Sequence, residues 1–369
     1  MNIFSKSIGV KETFPALTGI RAIAAFMIFF HHLRLDLGSG FLAGLQLSLY
    51  WGVTLFFVLS GFLITYRYYE TSELSGTWLF NYFVNRFARI YPVYFLVLTA
   101  VVLLSANFDA IFLLQNYTLT QNLFFIFKSH GTAIAPSWSL TVEECFYLLA
   151  PLIFLLCKKY NLYTPFLITF LLLGMVLYTY QGDGSFEQGA FRVFSGSFFG
   201  HCAEFFAGIY LALYLLKKRE RTVSHLKIMK WTAVGLTGIV ILAIALEYVV
   251  NKEDTVKYPV IVVVNNFLLP VPIAAFYYGL ITEKSWCRRI LSSGVMRLLG
   301  RSSYAFYLLH LPIIDYFGTP FIRPYFGDGV YNLYVISIFL LTVLLSVSMF
   351  IFIENPMNIL IRRKLSTRI

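Results

Sequence analysis

Leu37–Tyr66 reads LGSGFLAGLQLSLYWGVTLFFVLSGFLITY, thirty residues without one Asp, Glu, Lys or Arg. About 20 mostly apolar residues are enough to cross a bilayer as a helix. Two further charge-free runs, 160–182 and 258–282, meet the same requirement. Working outward from them, the sequence predicts about ten spans, near 15–35, 43–66, 83–106, 138–157, 163–180, 197–216, 230–250, 258–281, 302–318 and 331–353. The rest of the composition agrees: of 369 residues 59% are hydrophobic and only 13% charged, with mean hydropathy +0.73. Soluble domains carry about 25% charged residues, so too little polar surface exists here to cover a water-soluble globule. Disorder is excluded by the same figures, because it needs low hydrophobicity and high charge. Aromatic residues at 18% suit a protein with two membrane interfaces to line. The expected fold is all-α and polytopic.

A formal charge of +11 raises the possibility of a nucleic-acid partner. A nucleic-acid reader gathers its Lys and Arg on one soluble face, whereas here they sit at the ends of apolar runs. With a cytoplasmic N-terminus, 23 of the 29 basic residues fall on the inner side, and Arg34, Lys128, Arg192, Lys252, Lys257 and Arg323 fall outside. That asymmetry follows the positive-inside rule, and an even number of spans returns both termini to the cytoplasm. The expected organisation is a cytoplasmic tail over 1–14, a membrane domain over 15–355 and a basic cytoplasmic tail over 356–369. Met1–Ala16 holds Lys6, Lys11 and Glu12 and has no cleavage site, so it reads as a tail and not as a signal peptide. The segment 107–137, rich in Asn, Gln and Thr, is placed as an outer re-entrant or interfacial piece. Cys145, Cys157, Cys202 and Cys287 show no metal-ligand spacing and read as small buried hydrophobes, so no metal is expected.

Ionisable groups inside spans are costly and are functional candidates by default. Arg21 and His32, eleven residues apart on the first span, are separated by three turns and about 20°, hence share a face about 16 Å apart. Ser60 and Gly61, small residues within an aromatic run, allow close approach of a helix or of a ligand. Arg86 and Arg89, at i and i+3 at the inner mouth of the third span, could grip phosphates or anchor to headgroups. Glu143 and Glu144 stand at the outer entrance of a span, where one of them could polarise a histidine or bind a sugar hydroxyl. Glu204 lies inside the sixth span with His201 as its nearest partner, and His310 falls at mid-membrane depth. Asp315 and Glu354, near span ends, read as surface or snorkelling residues.

Six motifs in order (Arg21…His32, GVTLFFVLSGFLI, RFARIYP, SWSLTVEECFYLLAP, AEFFAGI and SSYAFYLLHLP) resemble the acyltransferase-3 family of integral-membrane acyltransferases over residues 13–360. The resemblance implies transfer of an acyl group, often acetyl, from cytoplasmic acyl-CoA to a hydroxyl of a cell-surface or lipid-linked glycan, in the bacterial inner membrane. It implies His32 as the catalytic residue with Arg21 its companion, Arg86 and Arg89 at the CoA phosphates, Glu143 or Glu144 on the paired acids, and His310 on the later histidine. On that basis Ser60 and Gly61 are expected along the pantetheine path, with an acidic residue orienting His32 and His310 donating to the developing oxyanion. Two departures stand out: Cys145 replaces a frequent Gln, and His201 stands near a frequent Arg. The chain ends about 15 residues after the tenth span, so the chemistry is expected within the membrane domain.

Intramembrane Arg21, His32, Glu204 and His310 would also serve a transporter or flippase as a proton or anion relay. Acceptor specificity is expected in the outer segments 107–137, 181–196 and 319–330, where Tyr117, Phe191, Tyr325, Gly327 and Gly329 occur. Those residues are equally ordinary for an interfacial belt.

Overall fold

The computed structural model describes residues 14–38, 40–73, 75–123, 130–180, 194–219, 230–250 and 257–365. Lys6, Lys11, Lys128, Phe191, Arg192, Arg221, Lys227, Lys252 and Arg368, used in the charge and loop arguments above, lie outside the described residues.

The described residues form helices and connecting turns, with no strand among them. In chain order they are α1 (Pro15–His32), α2 (Phe41–Ser48), α3 (Gly52–Tyr68), α4 (Gly76–Ser105), α5 (Ala110–Tyr117), α6 (Trp138–Tyr160), α7 (Tyr163–Tyr180) and α8 (Phe198–Arg219). There follow α9 (Lys230–Val250), α10 (Lys257–Val262), α11 (Pro270–Thr282), α12 (Trp286–Leu291), α13 (Gly294–Ile313), α14 (Tyr331–Met349) and α15 (Asn355–Leu365). Side-chain oxygens start several of them: Ser75 accepts from the Trp78 amide at α4, Asp109 from Phe112 at α5, and Ser293 from Met296 at α13. Three π-helical turns interrupt the regular winding, at Val263–Leu268, Ile314–Ile322 and Phe350–Glu354.

Seven helical segments are long and apolar enough to cross a membrane. The other three expected spans are also helices, α1 of 18 residues, α7 of 18 and α13 of 20. Two of these owe their lower apolarity to chemistry: α1 carries Arg21, His31 and His32, and α13 carries Arg297, Arg301 and His310. The ninth expected span is displaced, since α13 starts at Gly294, eight residues before 302. The arginines of its first two turns hid that start from a hydrophobicity reading.

Packing fixes relative directions. Gly300 lies against Thr18 at one end of α1 and α13, and His310 meets His32 at the other, so these helices run parallel. Gly279 faces Thr232 while Gly238 faces Pro272, making α9 and α11 antiparallel. Arg362 reaches Asn85 while Glu354 reaches Arg89, making α4 and α15 antiparallel. The first two directions match the alternation expected for spans one and nine and for seven and eight. The described parts of the 107–137 segment fold back on the bundle: the Asn116 side-chain amide donates to Phe112 O and Gly131 O, its Oδ1 accepts from the Ala133 amide, and its backbone carbonyl accepts from Tyr94 OH.

α3 crosses α8 at close backbone range. A Cβ on Gly61 would meet Phe205 O at 2.1 Å, and one on Gly208 would meet Val58 O at 2.1 Å. Small residues permit such close backbone approach in membranes. Gly61 therefore packs against the α8 backbone, the first of the two approaches its size allows. Gly61→Ala is expected to lower stability by about 1–3 kcal/mol, the usual cost of overpacking, and to leave the KM of the acyl donor unchanged. Thermal unfolding and donor titration check both halves.

Candidate active site

Two chambers lie back to back inside the bundle. The first, about 110 Å³, is lined by Arg21, Ser60, Arg86, Arg89, Glu143 and Tyr147 among others. The second, about 460 Å³, is lined by His31, His32, Tyr50, Trp138, His201 and the Asn265–Asn266 pair among others. Val53 and Tyr307 line both and form the wall between them. The larger chamber falls in the range usual for a small-molecule site, whereas the smaller suits only a slender chain. Arg21 and His32 share a face of α1 as expected, but they open into different chambers. With α1 expected to run outward, the Arg21 chamber is the inner one and the His32 chamber the outer.

The histidines owe their meeting to glycines at the far end of the same helices. Gly300 abuts Thr18 O, so α1 and α13 touch backbone to backbone there, and Gly19 beside it abuts Leu291 O at the end of α12. Ten residues beyond Gly300, His310 reaches its partner: its Nε2 lies 3.2 Å from His32 Nδ1. His310 is 0% exposed, and its Nδ1 faces Tyr307 O at 2.7 Å. His32 Nδ1 faces Ile28 O at 2.9 Å. A carbonyl can only accept, so in a neutral ring each Nδ1 carries the proton. His32 then shares its N–H between Ile28 O and His310 Nε2, and its own Nε2 keeps a lone pair for the chamber. His310 thus stands behind His32, its two ring nitrogens facing Tyr307 O and the His32 ring.

The backbone after His32 is clasped from two sides. Gln46 accepts from the Leu35 amide at 2.9 Å and donates to Leu35 O at 3.0 Å. Asn332 accepts from the Asp36 amide at 2.6 Å and donates to Asp36 O at 2.8 Å. Carboxamides match an amide donor and acceptor together, so α2 and α14 both hold the segment that leaves the histidines. Sequence reading passed over these two residues, because their partners are backbone groups.

Glu143 lies in the inner chamber, where it accepts from Ser60 Oγ and from Tyr147 OH. Glu144 lines neither chamber, and its Oε1 is buried with no hydrogen-bond partner among the described residues. Neither carboxylate orients His32, which corrects that expectation; the imidazole is set by carbonyls and by His310. Arg86 stacks between Tyr68 and Tyr147, its Cζ 5.5 Å from each ring centroid, and donates to Tyr68 OH at 3.3 Å. The Nε atoms of Arg21 and Arg86 find no acceptor among the described residues. Arg89 is committed differently, since it pairs with Glu354. Glu354 is 1% exposed; the π turn at Phe350–Glu354 carries it inward, correcting its reading as a surface residue.

His201 and Glu204 are joined as expected, Nδ1 to Oε2 at 2.6 Å, with His201 Nε2 facing Ser195 O at 3.0 Å. The ring also forms part of the outer chamber wall beside Trp138, 5.4 Å away between centroids. The four cysteines are free, and Cys157, Cys202 and Cys287 are buried.

Comparison with known proteins supplies a family. A family model described as an acyltransferase domain matches residues 14–351. The O-acetyltransferase OatA of Staphylococcus aureus strain NCTC 8325 / PS 47 is 28% identical over 377 residues, covering 93% of this chain. OatA of strain COL matches to the same extent. The chain spans 57% of the length of these relatives. No solved structure matches.

Proposed function

The chain belongs to the acyltransferase-3 family of integral-membrane acyltransferases, and from that premise we propose that it moves an acetyl group from acetyl-CoA, on the cytoplasmic side, to a hydroxyl of a cell-surface or lipid-linked glycan. The observation that carries this reading is the pair of chambers sharing one wall, arginines on one side and a histidine with a free Nε2 on the other. The expected setting is the bacterial cytoplasmic membrane.

A polyanionic donor belongs at the cationic end. Arg21 and Arg86, whose Nε atoms are unpartnered, are the groups available to it, and charge-assisted bonds to phosphate are the strong ones. Only the slender pantetheine arm fits the inner chamber, which brings the thioester to the Val53–Tyr307 wall. Ser60, Glu143 and Tyr147 line that route. From the outer chamber an acceptor hydroxyl gives its proton to His32 Nε2 while its oxygen attacks the thioester carbonyl. The C–O bond forms, the C–S bond breaks, and the leaving thiolate takes a proton from the imidazolium, so the enzyme ends unchanged. Trp138, Tyr50 and Asn265 offer the outer chamber an aromatic face and polar groups suited to a saccharide ring.

The test uses vesicles holding the full chain together with membrane saccharides from a host deleted for it. Acetyl-labelled acetyl-CoA supplied on one face should give free CoA thiol and alkali-labile label in the saccharide fraction in equal amounts. Neither product appearing, while the protein conducts protons or anions, would instead establish the transporter alternative.

A further inference from the structure

At the mouth of the inner chamber, guanidinium groups gather around one buried tyrosine. Arg67 and Arg86 lie over the Tyr68 ring, Cζ to centroid 5.4 and 5.5 Å. Arg362 comes from α15, the helix after the last span; its Nη2 donates to Asn85 O at 3.4 Å and its Nε is buried with no acceptor among the described residues. Arg89 stands three residues beyond Arg86 on α4. Of these four, Arg89 is paired with Glu354, and no carboxylate lies within ion-pair distance of the other three among the described residues. Like charges at close range raise the energy of the empty site. α15 is nonetheless pinned there, by Arg89 to Glu354 and by Asn358 donating to Ala88 O at 3.1 Å. An arrangement that holds unpaired cations together gains most when a polyanion arrives.

We propose that Arg362, with Arg67, completes the donor site by binding the nucleotide phosphates of the acyl donor, so that α15 forms the outer rim of that site. The proposal rests on the reading above and adds a residue lying 276 positions beyond Arg86 in the chain. Arg86, deeper and stacked between two tyrosines, lies nearer the chamber; Arg362 and the exposed Arg67 lie outside it and meet the charged end of the donor. A planar fork with an unengaged Nε suits a phosphate. The same phosphate chemistry could come from an anionic lipid headgroup, and the experiment separates the two.

The full chain is placed in vesicles of phosphatidylcholine alone, with and without added phosphatidylglycerol. Two readouts are taken: CoA affinity by titration calorimetry, and transfer from acetyl-CoA compared with S-acetylpantetheine, which lacks the nucleotide. R362A should raise the Kd for CoA and the KM for acetyl-CoA about tenfold, the equivalent of one lost charge-assisted contact. Its kcat and its KM for S-acetylpantetheine should stay within twofold. R362K, which keeps the charge and the fold but loses the fork, should shift the same constants about threefold. R363A, removing an exposed neighbouring charge, should change neither. Equal KM changes with both donors, an unchanged CoA affinity, or an effect seen only with phosphatidylglycerol present would overturn the assignment. Wild-type protein that uses both thioesters equally well would overturn it too, while leaving the acyl-transfer reading intact; failure with either thioester would remove both.

Discussion

His32→Ala is expected to lower acetyl transfer at least about 10³-fold, within the range that general-base catalysis contributes. The loss should fall on kcat, because the arginines that would hold the donor line a separate chamber, and CoA affinity should be unchanged. His310→Ala should cost less, about 10-fold to 100-fold, since Ile28 O still fixes the His32 tautomer when His310 Nε2 is gone. Its signature should be a displaced acidic limb in the pH profile of kcat, because the imidazolium formed in the reaction loses an acceptor beside its Nδ1–H. If His32→Ala kept more than a tenth of wild-type kcat, the base would have to be sought elsewhere in the outer chamber, with His31 and His201 the first places to look.

Glu354→Ala carries the largest expected effect on stability. It leaves Arg89, three-quarters enclosed, without its carboxylate, and removing one partner of a buried pair costs about 3–5 kcal/mol. The double variant Arg89→Met/Glu354→Met should recover most of that loss, because an apolar pair of similar volume avoids the desolvation cost. Unfolding followed by thermal shift in detergent gives the comparison. A Glu354→Ala protein as stable as the parent would mean that Arg89 has turned to water at the inner surface, and that Asn358 and Arg362 suffice to hold α15 on α4.

Much of the bundle was legible because spans are local. Apolar run length and the positions of Lys and Arg are properties of contiguous sequence, and they placed the helices within a few residues. The exceptions were α4, which starts at Gly76, seven residues before 83, and α13, whose first turns carry Arg297 and Arg301. The site was legible in residue type but not in partnership. Arg21, His32, Arg86 and Glu143 stood out as polar groups in apolar surroundings, whereas their partners depend on contacts spanning most of the chain. Glu354 looked like a surface residue because Arg89 lies 265 positions away. Gly61 could mark a helix or a ligand contact, because a glycine in a span permits close approach by anything, and only the packing of α8 shows what approaches. Glu143 seemed suited to a histidine until Ser60 and Tyr147 proved to occupy both roles of acid partner. Gln46 and Asn332 carried no signal, since a carboxamide that matches a backbone unit leaves no mark in composition.

The wall of Val53 and Tyr307 has a further consequence on the proposed reading. A cell stores work as an ion gradient across this membrane, and any continuous water column would drain it. Two chambers that meet only at an aromatic ring and an aliphatic side chain let a group of two carbons change hands while the membrane stays electrically insulated. The Tyr307 hydroxyl, 2.7 Å from Ser139 Oγ and 3.0 Å from Pro136 O, is tethered to the first turn of α6 and to the short turn Ala135–Ser137 ahead of it, which keeps that insulator in place during each exchange.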